Sequence, residues 1–326
     1  MILPGDDPEA QAEAVRRWTC GGLVAFPTET VYGLGARADD DAAVAGVFAA
    51  KGRPADHPLI VHVADVAAAA AFAGELPPLA RRLADAFWPG PVTVIVPRRG
   101  ALGAAASGGQ ATIGLRCPDH PVARALIRAA ADAGIRGIAA PSANRFGRVS
   151  PTTAAHVRDE FGEDLLVLDG GPCPAGIEST IVDCSRGHPV LLRPGVLPRE
   201  RLEAVLGEPM RAPDALAPRA SGTLASHYAP RAVLRLLGGD AIAARLAAGV
   251  GLPRGLGVYS RRPMPPVTGV ACRAMPGDAA TAARDLFAVL RDFDAGGANE
   301  LWVETPPDEP AWDGVRDRLA RAAAPR

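Results

Sequence analysis

Short apolar runs alternate with helix-length stretches along most of this chain, and that alternation makes α/β packing the natural way to bury it. Apolar segments at 23–26, 59–63, 92–96, 112–116, 137–140, 165–168, 180–182 and 190–192 read as short, largely buried strands. Helical patterns at 8–18, 41–51, 77–87 and 120–133 fall between several of them. Other neighbouring strands lie too close in sequence for a crossover helix, so antiparallel pairs must mix with parallel ones. The expectation is an α/β fold with a twisted, open, mixed sheet and helices packed on it.

The alternation breaks after Glu203. Residues 207–230 are rich in Pro, Gly, Ala and Ser with little periodicity, and read as a linker. Strands at 233–237, 256–260 and 301–304 then resume, with helices at 241–246, 279–293 and 311–322. Leu286, Leu290 and Phe293 share one face of the second of these helices. This spacing suggests a small Rossmann-like sheet. Two domains, 1–206 and 231–326, also suit a length of 326 residues.

Usage of 48% hydrophobic and 22% charged residues is that of a globular chain, and a net charge of −1 gives no chain-wide attraction to nucleic acid. The acidic start Met1-Ile2-Leu3-Pro4-Gly5-Asp6-Asp7 is no signal peptide. No run approaches the roughly 20 apolar residues of a membrane span; the alanine-rich 66–73 is far too short. Cys20, Cys117, Cys173, Cys184 and Cys272 are scattered and form no C-x-x-C pair, which reads as buried free thiols in a reducing cytoplasm.

Common catalytic and phosphate-binding signatures are missing. There is no Walker loop, because the only lysine, Lys51, is followed by Gly52 and Arg53. "GLGARA" at Gly33 and "GLGVYS" at Gly255 lack the third glycine of a dinucleotide loop and read as tight turns. Neither a G-x-S-x-G elbow nor a Cys/His cluster with metal-ligand spacing occurs.

Other segments do concentrate chemistry at element ends. "FPTETVYGLGARA" (26–38) supplies Thr28, Glu29, Thr30 and Tyr32 after an apolar strand. The plain alternative is a helix cap and a core tyrosine. "KGRPADHPLIVHV" (51–63) sets Lys51 and Arg53 at a helix end, His57 beyond them and His62 within a strand. A helix-end cation satisfying the last carbonyls is served equally well by arginine, which this chain uses at every other cationic position. Lysine differs in being a compact point charge with three rotatable donors, so Lys51 points to a role among several oxygens. "APSANRFGRVSPTT" (140–153) ends another strand with Ser142, Asn144 and Ser150, in a loop of small residues able to present backbone N–H groups to phosphate. A turn followed by an N-cap at Ser150 or Thr152 is the plain reading. Arg116 and Arg193 end the apolar strands of "TIGLRCP" (112–118) and "LLRPG" (191–195), and Ser179 and Thr180 come from "GIESTIVD" (176–183). A strand-end arginine buried there must meet either a carboxylate of the protein or an anionic ligand.

Taken in order, P-T-E-T-x-Y-G-L-G, K-x-R-P, S-x-N, E-S-T-I-V-D, R-P-G and H-Y-A-P make this chain resemble the threonylcarbamoyl-AMP synthase family. The resemblance covers a YrdC-like catalytic domain, a linker that includes "SGTLASHYAPRA" (221–232), and the C-terminal domain of the two-domain form. It implies that L-threonine, bicarbonate and ATP are joined into L-threonylcarbamoyl adenylate with release of pyrophosphate. Mg²⁺ would accompany the ATP, held by substrate oxygens rather than protein side chains. The product would serve a separate transferase complex that modifies the adenosine beside the anticodon of tRNA; no direct tRNA contact is assigned.

By the same resemblance Lys51, Arg53, Ser142 and Asn144 form the catalytic tetrad. Thr30, His62, Arg116, Ala140 and Ser179 should hold threonine. Arg53, His57, Thr112, Ser142, Ser150 and Arg193 should contact ATP, with His227 and Tyr228 folding over from the linker as a lid. His57 stands where many members have asparagine, and Ser221-Gly222 replaces a common Pro-Gly. Two other readings compete: an RNA-binding, translation-associated module using the same cations on phosphates, and the carbamoyl-transfer enzyme of hydrogenase maturation. The near-neutral charge disfavours the first, and the missing zinc-binding cysteine pairs the second.

Overall fold

A computed structural model describes residues 1–325, which divide into two compact units. The first comprises Met1–Phe146 with Ser150–Thr223; the second runs from Leu224 onward and includes Gly147–Val149. Residues 207–223 thus belong to the first unit.

Ten strands form the sheet of the first unit: β1 (Ile2–Pro4), β2 (Val24–Phe26), β3 (Gly33–Arg37), β4 (Ile60–His62), β5 (Val92–Pro97), β6 (Thr112–Arg116), β7 (Ile138–Ala139), β8 (Leu166–Asp169), β9 (Thr180–Asp183) and β10 (Val190–Arg193). They lie in the order β1-β8-β2-β3-β7-β4-β6-β5-β9-β10. Pairing is mixed: β4 runs parallel to β6, and β3 antiparallel to both β2 and β7. Two large apolar cores lie on the sheet, with a smaller cluster of Ile95, Ile181, Val190 and Leu192 toward its β10 edge. Trp18, Phe26, Leu126, Ile138 and Leu168 belong to one, with helices Pro8–Thr19 and Pro121–Asp132. Val44, Phe72, Leu83, Val94 and Leu115 belong to the other.

Helix Asp41–Lys51 positions the site from the second core. Its N-cap Asp40 accepts from the backbone N–H groups of Ala42 and Ala43, and Gly52 ends it at φ 63°. That left-handed turn costs little without a Cβ, and it leaves Lys51 as the last helical residue.

Several elements differ from the sequence expectation. Gly33–Arg37 is an interior strand rather than a tight turn. A Cβ at Gly35 would lie 2.8 Å from both Ile138 Cγ2 and Phe26 Cε1 and 3.1 Å from Trp18, so the glycine serves close packing. In the second glycine motif Gly255 is a turn (φ 65°), whereas Gly257 lies within a strand. Helix Val66–Ala73 was masked by alanine, which favours helix but gives no amphipathic pattern. Helices Ala154–Phe161 and Arg199–Leu206 are short, and the first is capped by Thr153 rather than Ser150 or Thr152. Cys117, Cys173 and Cys184 are buried, but Cys20 and Cys272 are exposed.

The second unit holds four parallel strands, β11 (Val233–Leu237), β12 (Leu256–Ser260), β13 (Ala271–Ala274) and β14 (Glu300–Glu304), in the order β11-β14-β12-β13. Wholly exposed β13 lacks the apolar run that reveals a strand. Ile242, Leu246, Val258 and Trp302 pack on one face, and helix Ala279–Ala295 buries Leu286, Phe287, Leu290 and Phe293. No helix among the described residues is long and apolar enough to cross a membrane.

Gly35→Ala should cost about 1–3 kcal/mol through overpacking. Gly114→Ala, whose Cβ would meet nothing closer than Thr93 Cγ2 at 3.5 Å, should change stability by less than about 1 kcal/mol. Denaturant midpoints at unchanged m-value would test the contrast.

Candidate active site

Lys51 is 3% exposed, and its Nζ donates to the carbonyl oxygens of Ser142 (2.5 Å) and Asn144. Its own carbonyl accepts from Phe146 N–H at 2.9 Å. One residue therefore pins the 142–146 loop at three points. The acceptors lie far outside its own helix, so this is no helix-end contact. Burial pushes the Lys51 pKa well below the usual lysine value; Arg53 adds to the shift, and Glu160 and Glu178 oppose it.

Arg53 Nη2 donates to Pro58 O (2.9 Å) and Ser221 Oγ (3.2 Å), and its guanidinium sits 5.5 Å from the Phe146 ring centroid. The His57 ring meets Phe146 edge-on at 5.4 Å, and burial together with Arg53 lowers its pKa. Arg193 donates through Nε and Nη2 to Ser179 O (3.1 and 2.9 Å) and through Nη1 to Ser221 O (2.9 Å). Ser179 Oγ in turn shares a 2.8 Å hydrogen bond with Thr93 Oγ1. Ser221 thus joins both arginines, and it borders a cleft lined by Ile60, Thr93, Thr112, Gly114 and Ile181.

Arg116 ends β6 with every nitrogen engaged. Nε donates to Gly90 O (3.2 Å), Nη1 to Thr30 Oγ1 (2.9 Å), and Nη2 forms an ion pair with Glu29 Oε1 at 2.6 Å. Glu29 Oε2 accepts from Asp119 N–H. His62 is in register with Arg116 on the neighbouring strand, and its buried Nδ1 has no hydrogen-bond partner among the described residues. Burial and the nearby Arg116 hold its pKa down to about 3, so the imidazole is neutral at any working pH. Ala140 donates its N–H to Ile60 O at 3.0 Å. Ser150 Oγ donates to the buried carboxylate of Glu178.

The Sua5/YciO/YrdC family model, described as telomere recombination, matches residues 17–195. The chain belongs to the Sua5/YciO/YrdC family. A second model, the threonylcarbamoyl-AMP synthase C-terminal domain, matches residues 197–324. The threonylcarbamoyl-AMP synthase of Bacillus subtilis is 39% identical over 99% of this chain and 95% of its own length. That of Schizosaccharomyces pombe is 34% identical over 92% and 85%. The crystal structure of P. abyssi Sua5 complexed with L-threonine superposes with a TM-score of 0.89 at 36% identity, covering 99% of this chain and 97% of the other.

In this family member the four expected cations of the first unit fall into three groups, Lys51 with the Ser142 and Asn144 carbonyls, Arg53 and Arg193 at Ser221, and Arg116 with Thr30, while Ser150 lies apart on Glu178. His227 and Tyr228 belong to the second unit. There Tyr228 is buried, with φ 59°, stacked on Phe287 at 5.5 Å beneath the Arg318 guanidinium. His227 donates its backbone N–H to Arg321 O. Sequence reasoning left Glu29 and Glu178 without a role, although both stand in the motifs quoted above. The available signal was the buried-charge rule: strand-end arginines need carboxylates, and each of these adjoins an assigned hydroxyl residue.

Lys51→Arg should stay folded yet lose roughly two orders of magnitude in turnover, because a planar guanidinium cannot fit between the two carbonyls. Lys51→Met, which keeps an unbranched chain as far as Cε but lacks the ammonium, should be at least as inactive. Circular dichroism alongside turnover tests both, and near-normal activity of Lys51→Arg would refute the point-charge role.

Proposed function

We propose that this chain is an L-threonylcarbamoyladenylate synthase, a nucleotidyltransferase that condenses L-threonine, bicarbonate and ATP into threonylcarbamoyl-AMP and pyrophosphate. The observation that carries the reading is the buried Lys51 ammonium, held by loop carbonyls rather than by an ion pair at its Nζ. Such a group suits chemistry in which anions must meet. The threonine-bound P. abyssi relative supports the amino-acid substrate.

Threonine's amine bonds to the carbon of bicarbonate as a C–O bond breaks and water leaves, giving an N-carboxy anion whose oxygen attacks the α-phosphate of ATP. That O–P bond forms as the bond to the β-phosphate oxygen breaks and pyrophosphate leaves. Lys51 and Arg53 offset the charge gathered at the α-phosphate, with Ser142 and Asn144 on the loop that Lys51 holds. Thr30, His62, Arg116, Ala140 and Ser179 hold threonine. Arg53, His57, Thr112, Ser142, Ser150 and Arg193 hold the nucleotide. Positioning and charge neutralisation supply the catalysis. Burial pushes the thiols of Cys117 (to about 11), Cys173 and Cys184 up, away from the reactive thiolate form, in keeping with a route that needs no covalent nucleophile.

Mg²⁺ belongs to this reading as part of the nucleotide substrate, on its phosphate oxygens. Among the described residues no group of three or more His, Cys, Asp and Glu side chains is arranged to hold a metal, and no step here depends on one. The adenylate would feed a transferase complex that modifies tRNA in the cytoplasm.

Pyrophosphate release should require ATP, threonine and bicarbonate together, and labelled bicarbonate should enter an AMP adduct. Release without threonine would overturn the reading. The pH profile gives a second test, because the Lys51 pKa lies below its ordinary value in the free protein and bound phosphates raise it. The alkaline limb of kcat/KM for ATP, reporting the free protein, should fall at lower pH than that of kcat.

A further inference from the structure

Glu29 has no role in the reading above, yet it organises the polar groups around Arg116. It is 7% exposed and bridges the Arg116 guanidinium to the Asp119 backbone. Arg116 Nη1 donates to Thr30 Oγ1. The Thr28 hydroxyl gives its single proton to Val31 O at 2.7 Å, so the 2.8 Å contact between Thr28 and Thr30 must use the proton of Thr30. Thr30 Oγ1 has then donated once and accepted once, and one lone pair remains.

We propose that Glu29 is a positioning residue: by fixing Arg116, whose Nη1 fills one lone pair of Thr30 Oγ1, it holds that oxygen in place with its second lone pair offered to the α-amine of an incoming amino acid. This rests on the synthase reading and deepens it. The held acceptor also orients the nitrogen that must bond to carbon. Without the Glu29 carboxylate, Arg116 loses its ion partner and no longer holds Thr30 Oγ1 in place. An amine donor then loses a well-placed acceptor, whereas a ligand without the amine makes no use of that lone pair.

The test compares calorimetric affinities of L-threonine and 3-hydroxybutyrate, which keeps the carboxylate and the β-hydroxyl but lacks the amine, on wild type, Glu29→Gln and Glu29→Asp. In Glu29→Gln, threonine should weaken roughly tenfold and 3-hydroxybutyrate less than about twofold, with ATP affinity unchanged. Glu29→Asp keeps the charge on a shorter arm and should fall between; it carries the test if the glutamine variant fails to fold. Equal weakening of both ligands, or of neither, would overturn the proposal and leave the synthase reading standing. A wild-type protein that binds ATP but not threonine would overturn that reading, and the proposal with it.

Discussion

A cation taken out of water must be surrounded by oxygen, and the first unit is arranged round that requirement. Lys51, Arg53, Arg116 and Arg193 are each between 3% and 7% exposed. Left without partners, each would cost several kcal/mol. The solutions differ in kind. Arg116 is met by a carboxylate, which cancels its charge, whereas Lys51 is met by carbonyls, which solvate the charge and leave it in place. Arg116 acts through the hydrogen bonds it directs at its neighbours; Lys51 remains a source of field.

The same contacts tie the loops together. Lys51 grips the 142–146 loop, and Leu34 N–H donates to Pro141 O beside it. Tyr32 N–H donates to Pro151 O, and the buried Tyr32 hydroxyl bonds Asp169 and the Gly171 carbonyl. Groups far apart in sequence are thus held by backbone hydrogen bonds rather than by side-chain packing alone. Geometry of this kind suits a reaction driven by placement, since a shift of about 1 Å can be costly.

Strands buried on both faces were legible in sequence, because nearly continuous apolar runs mark them, as at β5. β3 was not, since glycine carries no side chain to signal burial, and β13 was not, since nothing on it is buried. Lys51 stood out only against a background of arginine; in a lysine-rich chain the same residue would have drawn no notice. The acceptors it reaches, and the carboxylate that Arg116 reaches, depend on tertiary pairing that spacing does not encode. Sequence could state that a buried arginine needs a partner, but not that Glu29 is the one.

With one lysine in 326 residues, the chain contains a single ε-amine, and it lies at the centre of the candidate site. All other side-chain positive charge is guanidinium or imidazole. Growth on ¹⁵N-lysine would therefore place one labelled ammonium in the whole molecule, with no assignment problem. Its chemical shift and proton exchange would report on the site's hydration and charge state as ligands arrive. Amine-directed coupling, by the same token, would leave that buried group aside and favour the α-amino group, giving conjugates of defined position without any engineered residue.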